Sequence, residues 1–299
     1  MITSNENNSW EKCYLCGNNS LKVFYHSKKI FKCKKCNFVF YKPIPSDQEL
    51  SEIYSKYTRH ECITEISKEN IRKEFSNIFE INEVNKVLDI ACGECGMLEM
   101  IRELKPSIEL FGSEHESAKQ NIEMKNINYL KGGFYPETNE KFDLIIFTEA
   151  IEHINDVNEF LKNILSLLSK NGMIYITTPN FNCIERFLMQ SDWGMVVPPE
   201  HLSYFTTKTL SDALTRNGLE KIFLKTENIS FYRIMEYLNK RRRSKGKSAE
   251  ISPQNVANIM QKAVSQNSIL GYIKSLVNLI LRFTRSGSSM KALYKIKEI

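Results

Sequence analysis

The sequence predicts an α/β protein: a doubly wound, mostly parallel seven-stranded sheet, a small cysteine-rich module ahead of it, and a helical insertion near the C-terminus. Three observations carry this. From residue 84 onward, short apolar runs alternate with segments of helical period, the pattern of a parallel sheet with crossover helices. Two Cys-x-x-Cys pairs lie within the first 40 residues. Residues 230–287 separate the last two strand signals and carry helix-period apolar residues.

Length and composition set the bounds. A chain of 299 residues holds one full α/β domain and something small at an end. With 42% hydrophobic and 25% charged residues it has the balance of an ordinary globular protein. No run approaches the ~18 apolar residues of a membrane span. The start, Met1–Asn8, has neither a basic nor an apolar leader segment, so a cytoplasmic location is expected. The net charge of +6 traces to one run, 240–247, which holds six basic residues and no acid. Outside it 35 basic residues face 35 acidic ones, so no broad basic face is expected. The run is either a solvated loop or a contact with phosphate-bearing substrate, nucleic acid or membrane.

Cys13-x-x-Cys16 and Cys33-x-x-Cys36 are 16 residues apart. Two such knuckles supply four thiolates to a tetrahedral metal, structural zinc first, with rubredoxin-like iron or free thiols as alternatives. Gly17 and Asn37 follow the second cysteine of each pair, where a left-handed backbone is often required. So few residues cannot build a core, so metal would supply the folding free energy. The other four cysteines read as scattered. Phe38–Tyr41 is a short strand, and Ser46–Leu50 reads as a capped helix start leading into mainly helical residues to 80.

In the core, strands are predicted at 84–91, 108–112, 128–131, 142–147, 172–178, 222–226 and 290–296. Helices are predicted at 97–105, 116–124, 157–169 and 207–217, the last closed by Gly218. The first strand runs into Asp89-Ile90-Ala91-Cys92-Gly93-Glu94-Cys95-Gly96. Small residues there let backbone approach a ligand and open a helix. Glu114 ends the second strand 25 residues after Asp89, where a carboxylate accepts ribose hydroxyls in nucleotide sites.

The set 87–98, Gly112-Ser113-Glu114, 142–153 and 171–180 resembles the Rossmann-like class I S-adenosylmethionine (SAM)-dependent methyltransferases. It is closest to the group with a Glu-x-x-Glu-His segment, here Glu149-Ala150-Ile151-Glu152-His153. That group includes ubiquinone-pathway O-methyltransferases and small-RNA 3′-end methyltransferases. The cysteine module resembles zinc-ribbon extensions on some bacterial methyltransferases. The resemblance implies that Asp89 holds the SAM amino group, Gly93 passes the methionine moiety and Glu114 binds ribose. His115, Gly133 and Phe134 would line the adenine, and Thr148 and Glu149 would sit near the sulfonium. Ala91 and Cys95 stand where the family pattern has the outer glycines of Gly-x-Gly-x-Gly, and Cys95 would add bulk beside the ligand.

Methyl transfer needs alignment, and a hydroxyl acceptor also gains from a base or a cation. His153 and His201 are the base candidates, with Glu149 beside them. The small-RNA enzymes imply a further option, Mg²⁺ or Mn²⁺ on Glu149, Glu152, His153 and His201. A purely structural role is the third. The long segment 181–205 is expected to wall the acceptor pocket. In 230–287, Ile269, Ile273, Leu276, Ile280 and Phe283 share a helix face, suiting a lid, a homodimer contact or a membrane-surface helix.

The expected division is a zinc ribbon (1–45), a helical lead-in (46–83), a SAM-binding core (84–229 with 288–299) and an insertion (230–287). The expected activity is O-methylation of a small sugar-containing or phosphorylated bacterial metabolite. The rivals are an RNA 2′-O-methyltransferase and a non-catalytic scaffold.

Overall fold

A computed structural model describes residues 12–46, 49–50, 52–53, 65–244 and 268–297. Residues 245–247 of the basic run and part of the helical lead-in lie outside them. Two sheets organise the molecule. The larger has seven strands: β4 (Lys86–Ile90), β5 (Glu109–Ser113), β6 (Asn128–Leu130), β7 (Phe142–Thr148), β8 (Leu168–Pro179), β10 (Leu219–Glu227) and β11 (Ser289–Ile296). Their order is β10-β11-β8-β7-β4-β5-β6. The pairs β4/β5, β4/β7, β5/β6 and β7/β8 are parallel, and β11 is antiparallel to both neighbours.

Alternation along the strands fills two cores. Leu88 and Ile90, Ile145 and Phe147, Ile174 and Ile176 face one side, against α4 (Val157–Leu167) and α6 (Thr207–Arg216). Val87, Leu144, Ile146 and Tyr175 face the other, with α1 (Glu65–Ile81) and α2 (Gly96–Leu104). Burial on both faces explains why these strands read as unbroken apolar runs. α4 forms because Val157, Phe160, Leu161 and Ile164 recur on one buried face. Asp156 caps it, accepting the N–H groups of Asn158 and Glu159 at 3.0 Å. At α6, Thr206 and Thr209 make a reciprocal cap. The predicted 116–124 helix divides into a 3₁₀ turn at 116–118 and α3 (Lys119–Met124), with the His115 ring accepting from the Ser117 N–H.

The smaller sheet, β1 (Leu21–Tyr25), β2 (Ile30–Cys33) and β3 (Val39–Tyr41), carries the cysteine module and recruits β9 (Ser203–Tyr204) from the core's long segment. The contact is extensive. Phe38 packs on Phe205 at 5.2 Å, Tyr14 Oη donates to the Leu202 carbonyl at 2.8 Å, and Asn158 Nδ2 donates to the Tyr14 carbonyl at 2.9 Å. Segment 181–205 also has a packing role. Phe181, Met189, Trp193 and Tyr204 are buried in a third core with Ile30 and Val39, so these large side chains join ribbon to core. Arg186, on α5 (Ile184–Met189), lies over the Phe181 and Phe187 rings.

The described part of the insertion is two helices, α7 (Phe231–Ser244) and α8 (Ser268–Thr284), flanking the undescribed 245–267; between Lys291 of β11 and Glu74 of α1 lies a buried ion cluster. On α8, Leu276, Leu279, Ile280 and Phe283 are exposed. The side chains of Ile269 and Ile273 lie outside the described set. No helix of the described residues is long and apolar enough to cross a membrane.

Candidate active site and cysteine centre

Strand order reverses between β4 and β7, and ligands in such sheets bind beyond the carboxyl ends of the strands at that point. Asp89, the penultimate residue of β4, is 2% exposed. The loop after it takes the left-handed backbone at alternate residues: Ala91 (φ 55°), Gly93 (φ 52°) and Cys95 (φ 60°). These are the three positions of the family's glycines. Ala91 and Cys95 therefore hold a conformation that disfavours a Cβ by roughly 1–2 kcal/mol each. The expected bulk of Cys95 beside the ligand does not arise. Its side chain is fully buried and turns into the core, with Sγ 3.7 Å from Cys92 Sγ.

Glu114 joins this loop to the end of β5. Its carboxylate accepts the Gly93 N–H at 3.1 Å and the His115 N–H at 2.9 Å, and Tyr129 Oη donates to its carbonyl. The half-buried acid is thus oriented across the loop. Ser113 Oγ donates to the Gly133 carbonyl at 2.6 Å, fixing the next loop, and Phe134 packs against the first core. Gly132, just before, must be glycine: with φ 116°, a Cβ would lie 2.1 Å from the Tyr135 carbonyl oxygen.

Thr148 ends β7, and Glu149 follows with φ 49°. Thr177 Oγ1 donates to the Glu149 carboxylate at 2.9 Å. One turn on, Glu152 is buried and accepts from Thr178 Oγ1 at 2.8 Å. His153 and His201 meet edge to face, ring centres 4.8 Å apart. Each ring directs Nδ1 to a backbone carbonyl at 2.9 Å, His153 to Glu200 and His201 to Met195. Those bonds assign the proton to Nδ1 and make Nε2 the basic nitrogen of each ring. Burial pushes His201 down to about 4, so it is neutral near pH 7. Ligand atoms of Glu152, His153 and His201 lie within 4.8 Å of one another. Of the four-residue cation set expected from the sequence, Glu149 stands outside this group.

The four paired cysteines converge too. Their sulfurs all lie within 4.8 Å, with Cys13–Cys36 and Cys16–Cys33 at 3.7 Å. A tetrahedron of sulfurs about 2.3 Å from zinc has edges of about 3.8 Å. Gly17 and Asn37 take φ 70° and 64°, and donate to the Cys13 and Cys33 carbonyls, closing the two knuckles. The donor set and its spacing fit zinc.

Sequence reasoning missed two features. Cys92-Gly93-Glu94-Cys95 repeats the Cys-x-x-Cys spacing, a signal present in the sequence but read as scattered. Glu185 is fully buried, accepting from Trp193 Nε1 at 3.2 Å and the Ser230 N–H at 2.5 Å. It ties the start of the insertion to the core, and no local pattern marks it.

A family profile describing a methyltransferase domain matches residues 55–223, more than half of the chain. The chain belongs to the class I SAM-dependent methyltransferases. A ubiquinone biosynthesis O-methyltransferase of Pelagibacter ubique (strain HTCC1062) is 34% identical over 126 residues, 38% of this chain and 50% of that protein. The (S)-tetrahydroprotoberberine N-methyltransferase of Eschscholzia californica is 23% identical over 145 residues, 44% of this chain and 41% of that one. The chain thus matches half or less of these relatives' length. Among solved structures, a provisionally assigned sarcosine dimethylglycine methyltransferase from Galdieria sulphuraria has TM-score 0.50 and 16% identity, covering 77% of this chain and 85% of that one. It shares the methyltransferase fold. Asp89, Gly93 and Glu114 lie together at the carboxyl ends of β4 and β5.

Proposed function

We propose that the protein transfers the methyl group of SAM to a hydroxyl of a small sugar-containing or phosphorylated metabolite. In this reading Asp89, Gly93 and Glu114 hold the cofactor, with Ala91, Cys95, His115, Gly133, Phe134, Thr148 and Glu149 around it. The observation that carries oxygen as acceptor is the His153/His201 pair, with Nε2 the basic nitrogen on both rings at the exit of β7. A hydroxyl must shed its proton as the methyl arrives, and a positioned imidazole takes it. His153, half-buried, is the base. His201, held neutral by burial, orients it and the acceptor. The four ribbon cysteines hold structural zinc, which leaves no open coordination position for chemistry. The exposed face of α8 serves as lid or homodimer contact.

A second reading is favoured by the Glu152–His153–His201 cluster: Mg²⁺ or Mn²⁺ held there would polarise the acceptor hydroxyl in place of a base. Activity abolished by EDTA with ribbon zinc retained would select it. To separate the acceptors, SAM carrying a labelled methyl is supplied with a small-molecule extract and with RNA. Alkali-stable label in the small-molecule fraction supports the proposal. Label in RNA supports the 2′-O-methyltransferase, and SAH binding without transfer to either supports the scaffold.

A further inference from the structure

We propose that Cys92 and Cys95 form a reversible disulfide on exposure to hydrogen peroxide, and that this bond switches off cofactor binding. The proposal rests on the reading of residues 89–96 as the SAM loop. Zinc is not involved, since these sulfurs belong to neither ribbon knuckle.

The geometry is close to that of the bond. The Cys95 N–H donates to the Cys92 carbonyl at 2.9 Å, closing a four-residue turn. Such a turn brings its end Cα atoms within about 7 Å, overlapping the roughly 4.4–6.8 Å span of disulfides. The sulfurs are already 3.7 Å apart and have to close to about 2.05 Å. Gly112 keeps the space open, because a Cβ there would sit 2.9 Å from Cys92 Sγ. Cys95 occupies the N-cap position of α2, without a side-chain cap bond. Its thiol is lowered by the hydrogen bond shared with Cys92, against the effect of burial, with Lys125 assisting. The Cys92 thiol is pushed up. Both thiols are buried, so the oxidant has to be small and uncharged, as peroxide is; the lowered thiol then attacks and the other resolves.

The steps balance. The Cys95 thiolate attacks one peroxide oxygen, the O–O bond breaks, and the departing hydroxide leaves as water with the displaced thiol proton. Cys95 is now a sulfenic acid. The Cys92 sulfur then attacks Cys95 Sγ, the S–O bond breaks, and the second hydroxide leaves with the Cys92 proton as water. Two thiols are oxidised and one peroxide is reduced to two waters.

The new bond would draw the two sides of Gly93 together. That residue's N–H is held by Glu114 at 3.1 Å, and Ala91, Gly93 and Cys95 are all left-handed already. The loop has little conformational slack, so closing the sulfurs displaces the backbone that faces the cofactor.

Trypsin releases both cysteines, and no other, in the peptide 87–102. Full-length protein is treated with peroxide, alkylated and digested, and S-adenosylhomocysteine (SAH) affinity is measured by calorimetry on the same samples. The peptide should become two hydrogens lighter and resist alkylation, and dithiothreitol should reverse both. SAH affinity should fall at least about tenfold on oxidation and recover on reduction. Cys95→Ser, or Cys92→Ser should the first variant not fold, should keep its own affinity through the same treatment, which separates this loop from damage to the ribbon. A peptide that stays reduced after the ribbon cysteines have oxidised overturns the proposal, as does a disulfide form that binds SAH like the reduced protein. Reduced protein with no SAH affinity would refute the cofactor reading and with it the switch, while the peptide mass still decides the disulfide.

Discussion

His153 and His201 touch each other and bond alike through Nδ1, but only His201 is deeply buried, at 7% exposure. Their replacements should differ accordingly. His153→Ala should lower kcat by roughly 10²-fold and leave SAH affinity within about a factor of three, because proton transfer is lost and the adenosine contacts are not. Equal losses in both would make it a packing residue. For His201 the expected signature is pH-dependent stability. Its folded value, about 4, lies below the ordinary 6.5, so the unfolded chain binds the proton more readily. The His201 contribution is therefore complete above 6.5 and is lost as pH falls from there toward 4. Urea midpoints measured across that window should drop in the wild type, and the drop should shrink in His201→Gln. Identical pH slopes would mean that burial does not hold this ring neutral.

At the scale of elements, the cysteine module and the reacting end are mechanically joined. β3 pairs with β9, the Tyr41 N–H donates to the Leu202 carbonyl, and the Leu202 N–H donates to the Glu152 carbonyl. Zinc held by the ribbon would thus set the place of His201 through one strand. Cys33→Ser should reduce zinc from about one per chain, lower Tm, and lower kcat, although no ribbon residue belongs to the crevice. Full activity in a zinc-free protein would sever that link. A second tie runs beneath the sheet edge, where Glu74 of α1 and Glu227 of β10 meet Lys225, Lys291 and, from α8, Arg282. Burial raises the Glu227 carboxyl, but Lys291, Lys225 and Arg282 outweigh it and hold the group below its ordinary value. Its stabilising contribution is present above the unfolded carboxylate value and is lost as pH falls through the depressed folded one. Glu227→Gln should destabilise by roughly 1–3 kcal/mol, since it takes a buried carboxylate from Lys291, while Lys225 and Arg282 are partly exposed. A loss below about 0.5 kcal/mol in urea unfolding would show the cluster to be well solvated.

Across the whole molecule, what was legible in the sequence was what local pattern encodes. β4 and β7 announce themselves because both faces are buried, α4 because Val157, Phe160, Leu161 and Ile164 keep helical spacing, and the ribbon because four thiolates have few other uses at that spacing. The position of Glu114 was legible because it follows a strand at a fixed distance from the 89–96 loop. Partners remote in sequence were not. β9 has two residues and exists only through β3, and Trp193 is buried in the core that segment 181–205 shares with the ribbon. The separation of Glu149 from Glu152, His153 and His201 is set by Thr177 and Thr178, which lie on a different strand. The account stands on the cofactor crevice, and Glu114 is its most exposed commitment. Calorimetric titration of SAH into wild type and Glu114→Ala tests it directly. The expected result is saturable binding to the wild type, weakened by about 1–3 kcal/mol in the variant, from roughly fivefold to over a hundredfold in Kd. No binding by the wild type, or the same affinity in a folded Glu114→Ala, would contradict it.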